Sequence, residues 1–243
     1  VGDRRLEGIF LANLGVLELE LDQLADARLH LEKARNALGD VGDTRLLGIT
    51  IGNLGVLSHL EGDLATVEKQ HHQALTLLRE AGDRRSEALC LGRLGAVYAM
   101  TDRPDLSRSQ IDEAEQILQQ IGDHVTRDAV SLARGFLDLA QAGQARINDH
   151  SKECNALLAA VSQRIEKAES GQPSLLDRSD DARFTARLLK SGLRQLNQSV
   201  NAVPELDDEA LVIGPNAAWA RPPGSPWLDL RRHQVARRIL YRL

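Results

Sequence analysis

The heptapeptide LANLGVL at residues 11–17 returns forty residues later as IGNLGVL at 51–57, and again as LGRLGAV at 91–97. A fourth copy, SLARGFL at 131–137, keeps the spacing with a weaker likeness. A Gly-Asp pair precedes each copy at the same offset, at residues 2–3, 42–43, 82–83 and 122–123. A fixed period of this length indicates stacked supersecondary units, each of which needs its neighbours to bury an apolar face.

Within each unit, apolar residues recur every three or four positions, which is the spacing of a helix and not the alternation of a strand. In the first unit they form two runs, residues 6–21 and 24–38, with a break near Asp22. Later breaks fall near Gly62 and Pro104. Each unit is therefore predicted to be a helix A, a tight turn and a helix B. In the Gly-Asp pairs, the glycine can close helix B and the aspartate can cap the next helix A.

One glycine column lies in the middle of helix A, at Gly15, Gly55, Gly95 and Gly135. Glycine inside a helix costs about 1 kcal/mol relative to alanine. A cost repeated four times needs a reason, and the simplest is the close approach of a neighbouring helix.

These units resemble the tetratricopeptide repeat family. Its signature residues correspond to Leu14-Gly15, Ala27, Leu31 and Ala34 in the first unit, to Leu54-Gly55, Val67, His71 and Ala74 in the second, and to Leu94-Gly95, Ser107, Ile111 and Ala114 in the third. Tyr98 fills the aromatic place late in helix A, whereas Glu18 and Ser58 depart from it. The basic repeat has about 34 residues, so the forty-residue period is similar to the long variety of bacterial signal-transduction ATPases and transcriptional regulators. The resemblance covers about residues 1–160 and implies a docking scaffold for proteins or peptides.

The expected fold class is all-α, a right-handed α-solenoid of helix-turn-helix repeats with a small C-terminal β-hairpin and helix appendage. The repeat array is placed at 1–168, with repeats near 1–41, 42–81, 82–121 and 122–161. Residues 169–200 are expected to form a capping helix that shields the open end, 201–209 a linker, and 210–243 a separate tail. The chain starts in phase with the repeat and ends inside an apparent helix, so we expect it to be a segment of a longer protein.

The tail reads as strand, turn, strand, turn, strand and helix, with strands predicted at 211–213, 219–221 and 227–230. This order resembles the opening of a response-regulator-type winged helix, whose recognition helix would lie beyond the sequence. Residues 210–243 carry six arginines and one aspartate in a chain whose net charge is −5. Arg231, Arg238 and Arg242 fall roughly together on the last helix, where they either lie near DNA phosphates or form a solvated flank.

The best candidate for ligand binding is a ladder on successive A helices, Asn13, Asn53 and Arg93. By the resemblance, the A helices line the concave face, where amides and a guanidinium contact the backbone or carboxylates of a bound peptide. The small residues Ala12, Gly52 and Gly92 beside the ladder would let a ligand come close. The alternative is that the ladder residues only hydrogen-bond between neighbouring A helices.

No catalytic constellation, phosphate-binding loop or metal-ligand spacing is apparent, so we expect a non-enzyme without metal or cofactor. Among the histidines, His71 fills a core place and His72 faces elsewhere. The two cysteines, Cys90 and Cys154, lie in helical patterns and fit a reducing, cytoplasmic setting; no membrane span is expected. The partner is expected to be a protein, a peptide or a segment of the same chain, with DNA contacted through the incomplete tail. The leading function is the sensor or interaction segment of a bacterial transcriptional or signalling regulator, and the alternative is a plain scaffold with no DNA-linked role.

Overall fold

The structure, a computed structural model, describes residues 3–148, 150–201, 212–213, 219–221 and 228–229. Its helices in these ranges are α1 (Arg4–Glu20), α2 (Leu24–Asp40), α3 (Thr44–Leu60), α4 (Leu64–Glu80), α5 (Arg84–Met100), α6 (Pro104–Gln120), α7 (His124–Leu132), α8 (Arg134–Ile147), α9 (Ser151–Glu169), α10 (Leu175–Arg178) and α11 (Asp180–Asn201). From α1 to α6, each helix packs mainly against its neighbours in the chain. The predicted all-α helical-repeat solenoid is thus confirmed.

In the turns between units, the glycine and the aspartate have the roles predicted for them. Gly42, Gly82 and Gly122 take positive φ angles of 68° to 70°, a conformation that glycine adopts without a steric penalty. The aspartate that follows caps the next A helix, as where Asp43 Oδ1 accepts the Leu46 backbone N–H at 3.0 Å. Each A helix therefore begins at a fixed offset from the end of the preceding B helix.

The glycine column exists because side chains press against it. A Cβ atom at Gly15 would lie 2.6 Å from Leu31 Cγ on the paired B helix, and one at Gly55 would lie 2.6 Å from the His71 ring. Gly95 meets Ile111 on its own B helix in the same way, at 2.5 Å. The predicted close approach is confirmed for the first three units.

The fourth unit departs from the period. Its A helix is split at Ala133 into α7 and α8, and α8 runs on to Ile147, past residues 141–143, where the period predicts the A–B turn. Gln141 and Ala142 are good helix formers, so α8 continues through the place where the other units turn. Arg134 stands where the other units have leucine, and its guanidinium pairs with Asp112 at 2.6 Å and Glu115 at 2.8 Å on α6.

Ion pairs tie successive repeats together at their capping turns. Arg5 pairs with Asp43 and Arg45 pairs with Asp83, each with Nε–Oδ2 at 2.8 Å, and the third pair is Arg85–Asp123 at 2.9 Å. In each pair, the arginine of one A helix reaches the aspartate that caps the next A helix. The same aspartate thus both starts a helix and holds the preceding repeat.

The described chain divides into two compact units, Val1–Arg194 and Gln195–Leu243. In the second unit, β1 (Val212–Ile213), β2 (Trp219–Arg221) and β3 (Leu228–Asp229) form an antiparallel sheet in the order β1-β2-β3. These strands fall within the three segments predicted as strands. The predicted linker from residue 202 onward and the predicted helix after residue 230 lie outside the described residues.

Candidate functional site: the A-helix face

We use the term A-helix face for the surface formed by α1, α3, α5, α7 and α8. Helix α11 lies on this face. Its buried stripe, Ala182, Ala186 and Leu189, has the four- and three-residue spacing of one side of a helix. This placement differs from the expected cap over the open end of the solenoid, because α11 contacts helices from the first unit to the fourth.

Local side chains fix the start of α11. Ser179 Oγ accepts the Ala182 backbone N–H at 3.2 Å, which caps the helix. Asp180 and Asp181 lie in the first turn, where negative charge is favourable.

Ion pairs hold both flanks of α11. On one flank, Arg93 of α5 donates from Nε and Nη2 to Asp181 Oδ1 at 3.2 and 2.5 Å. On the other flank, Arg183 Nη2 lies 2.9 Å from Glu20, and Arg187 lies 3.7 Å from Asp22 in the turn after α1. The pattern is complementary, because Asp181 meets a base of the third repeat, and Arg183 and Arg187 meet acids of the first.

Between the ion pairs, α11 packs through apolar groups. The ring of Phe184 stands edge-on to His59 of α3, with ring centroids 6.0 Å apart, and it also contacts the core cluster that includes Leu54 and Leu57. Leu189 fills the space above Gly135 of α8, where a Cβ atom would lie 2.9 Å from Leu189 Cδ1. In the fourth unit, therefore, the glycine column makes room for α11 and not for a B helix.

The three predicted ladder residues differ in whether another side chain of the chain binds them. Asn13 is exposed and Asn53 is half-buried, and neither side chain has a hydrogen-bond partner among the described residues. Arg93 binds Asp181 of α11. From the sequence, we expected a ligand to offer a carboxylate to Arg93. In the structure, the chain itself supplies that carboxylate. The amides do not link neighbouring A helices, as the alternative interpretation required.

Other side chains of the chain also cover some of the small residues beside the ladder. A Cβ atom at Gly52 would lie 3.4 Å from Arg93 Nη1, so the guanidinium passes over this glycine. Gly92 faces Val130 of α7, and Ala12 is half-buried on α1.

Two histidines lie under α11. Burial lowers the pKa of His59 to about 4, and burial together with the positive charge of Arg93 lowers the pKa of His71 well below its usual range. Their Nε2 and Nδ1 atoms, respectively, have no hydrogen-bond partner among the described residues. Both line a cavity of about 30 Å³ between α11 and the A helices, together with Arg93, Asp181 and Phe184. A cavity of that size holds a water molecule.

The other residues with reactive side chains serve packing. Cys90 donates its thiol to the His71 carbonyl at 3.1 Å, and burial raises its pKa to about 12. Cys154 is buried and free, and His72 Nε2 lies 2.9 Å from the Tyr98 hydroxyl. Among the described residues, no three His, Cys, Asp or Glu side chains are placed to hold a metal ion. None of the described helices is both long and apolar enough to cross a membrane.

The predicted DNA-proximal residues, Arg231, Arg238 and Arg242, lie outside the described residues. A scan against protein-family models and a search of curated proteins found no match for this chain.

The sequence reasoning found Arg93 but missed its partner and the rest of the α11 contacts. Asp181, Phe184 and Leu189 fell only within the segment, residues 169–200, that was expected to form a capping helix. The available signal was charge: an acid followed by arginines on the helix could have been matched with Arg93 and with Glu20.

Proposed function

We propose that the chain is a docking module whose A-helix face binds an amphipathic helix of a partner protein, and that α11 occupies this face as an intramolecular ligand. The observation that carries the proposal is α11 itself. It is a helix laid on the face that the sequence assigns to ligands, and it is held by the very arginine that the sequence singled out.

The contacts of α11 define the chemistry of a competing helix. Such a helix presents a carboxylate to Arg93, an aromatic ring three residues later to His59, and basic side chains to Glu20 and Asp22. Helices that dock in grooves are commonly read through anchors spaced in this way. The open amide of Asn13 and the half-buried amide of Asn53 offer donors and acceptors that α11 leaves unused.

We further propose that the module is the sensor or interaction segment of a multidomain bacterial regulator that acts in the cytoplasm. The tetratricopeptide-like signature and the winged-helix-like order of the tail support this proposal. In this view, a partner displaces α11, and the displacement is passed along the chain toward the tail and the arginines at 231, 238 and 242. A plain scaffold would dock the same partner without any coupling to DNA.

The test is a titration of the full chain with a fluorescently labelled peptide of residues 178–197. The wild-type chain should bind it weakly, because α11 competes from within at a high effective concentration. A chain with Asp181→Ala and Phe184→Ala, which weakens only the resident helix, should bind the wild-type peptide at least tenfold more tightly. If this variant is folded and does not bind better than wild type, the groove is not a helix-binding site.

Two controls make the result specific. Adding Arg93→Ala to the weakened variant should remove most of the gain, because the peptide then lacks the partner for its carboxylate. A peptide with Asp181→Ala and Phe184→Ala should bind neither protein. Measuring DNA binding of the parent protein with and without a saturating peptide separates the regulator, in which DNA affinity changes, from the scaffold, in which it does not.

A further inference from the structure

Helix α1 carries an exposed apolar stripe on the side away from α2. Phe10, Leu14 and Leu17 are 69%, 41% and 51% exposed, and Leu6 and Leu21 extend the stripe toward both ends of the helix. Large apolar side chains that cluster in this way on a surface mark an interaction site more often than isolated ones do.

The repeat itself shows what covers this side of an A helix. Forty residues on, Leu54 and Leu57 of α3 correspond to Leu14 and Leu17, and they are at most 1% exposed. They are buried against the preceding repeat, in one cluster with Leu19 of α1 and with Ala27 and Leu31 of α2. The exposed stripe of α1 is therefore the same surface without its covering helix pair.

The charges at this end match the same interface. Asp43, Asp83 and Asp123 each pair with the arginine of the preceding A helix. Asp3 holds the equivalent position and caps α1 through the backbone N–H groups of Arg5 and Leu6. Among the described residues, no arginine or lysine pairs with its carboxylate.

We propose that the N-terminal end of the solenoid is a stacking surface for a helix pair of the same forty-residue type. The partner's B helix carries an alanine and a leucine at the places of Ala27 and Leu31, which cover Leu14 and Leu17. Its A helix carries an arginine at the place of Arg5, which pairs with Asp3. The interface continues the one between α2 and α3, so its geometry is already present in the molecule.

Phe10 gives this surface its own specificity. The residues forty and eighty positions on are Thr50 and Cys90, which are small and buried. A helix pair that stacks on α1 must leave room for a benzyl group at that point, so it differs there from the repeats of this chain. Exposed aromatic side chains of this kind act as anchors in interfaces.

The test fuses a second copy of residues 2–41 ahead of Gly2 in the full chain, in place of Val1. The copy supplies the leucine, alanine and arginine described above, and Phe10→Thr at the junction matches the Thr50 that this copy normally meets. Leu17→Cys reports on the covering of the stripe through its rate of reaction with a thiol reagent, since Cys90 and Cys154 are buried. Leu29→Cys, at a residue 49% exposed on α2, is the matched control.

In the fusion protein with Phe10→Thr, Leu17→Cys should react at least tenfold more slowly than in the unfused chain, and Leu29→Cys should react at an unchanged rate. With Phe10 retained, the slowing should be smaller. Equal rates for Leu17→Cys in both proteins would overturn the proposal, and so would a copy that adds no helical signal in circular dichroism, because stacking is what folds a single repeat. If Leu17→Cys in the unfused chain becomes protected as its concentration rises, a second copy of the chain covers the stripe, and the proposed partner is wrong.

Discussion

Replacing Asp181 by asparagine should loosen α11 from the A-helix face without unfolding the repeats. The carboxylate accepts two hydrogen bonds from Arg93, at 2.5 and 3.2 Å, and the two side chains are 24% and 21% exposed. Fully exposed ion pairs contribute about 0.2–1 kcal/mol, and hydrogen bonds to charged groups contribute about 1.5–3 kcal/mol. A half-buried pair with both features should contribute about 1.5 kcal/mol to the docking of α11, which is roughly a tenfold change in its opening equilibrium.

Native-state hydrogen exchange measures this opening directly, because local unfolding exposes amides without global unfolding. The amides of residues 183–194 should exchange about tenfold faster in Asp181→Asn, while those of α3 and α4 keep their protection. The control is Glu68→Gln, which breaks a two-bond ion pair with Arg103 at 2.9 and 2.7 Å, away from α11. Glu68→Gln should lower global stability. The ratio between the exchange rates of the α11 amides and those of the repeat helices should stay as in wild type. If Asp181→Asn exchanges at the wild-type rate, or if Glu68→Gln frees α11 to the same extent, the ion pair does not hold the helix.

Three other changes test the packing, the electrostatics and the capping of the array. Burial lowers the pKa of His59 from 6.5 to about 4, so the unfolded chain takes up this proton first as the pH falls through this window. Between pH 7 and 5, His59 alone should cost the wild-type protein about 2 kcal/mol in urea denaturation. His59→Gln should therefore lose about 2 kcal/mol less than wild type over this range, while the loss due to the buried His71 remains in both proteins. Gly55→Ala should lower stability by about 2 kcal/mol, since its Cβ would lie 2.6 Å from a buried imidazole ring. Gly39→Ala is the control, because nothing lies within 4 Å of the added Cβ, and it should raise stability by up to about 1 kcal/mol. If Gly55→Ala and Gly39→Ala shift the melting temperature in the same direction, the packing argument is contradicted. Asp83→Ala removes both a helix cap and an inter-repeat ion pair, so it should cost about 2 kcal/mol in chemical denaturation; a cost under about 0.5 kcal/mol would show that the turn does not join the repeats.

The sequence predicted the solenoid because its signals are local and repeated. Gly42 and its equivalents need a positive φ angle, the aspartate after each one caps a helix, and Gly15 and Gly55 make room for a side chain on the paired B helix. Each of these features depends on residues within about forty positions of one another, so a period in the sequence is enough to place them.

The site depends on contacts that no period encodes. Asp181 and Arg93 are 88 residues apart, and Arg183 and Glu20 are 163 apart. The apolar stripe of α11 fits any apolar surface, so it does not specify whether the helix covers the end of the array or the A-helix face. Gly135 looked like one more member of the glycine column, although it accommodates Leu189 of α11.

The most direct test of the central claim, that α11 and a partner helix share one site, is to lock α11 in place. A Cβ atom at Gly135 would lie 3.5 Å from Leu189 Cγ, so Gly135→Cys with Leu189→Cys should form a disulfide between α8 and α11. The labelled peptide of residues 178–197, made with Leu189→Ala so that it fits over the new side chain at position 135, should fail to bind the oxidised protein and should bind after reduction, because only then can the resident helix leave. Equal binding to the oxidised and reduced proteins would contradict the claim and place the peptide elsewhere on the surface.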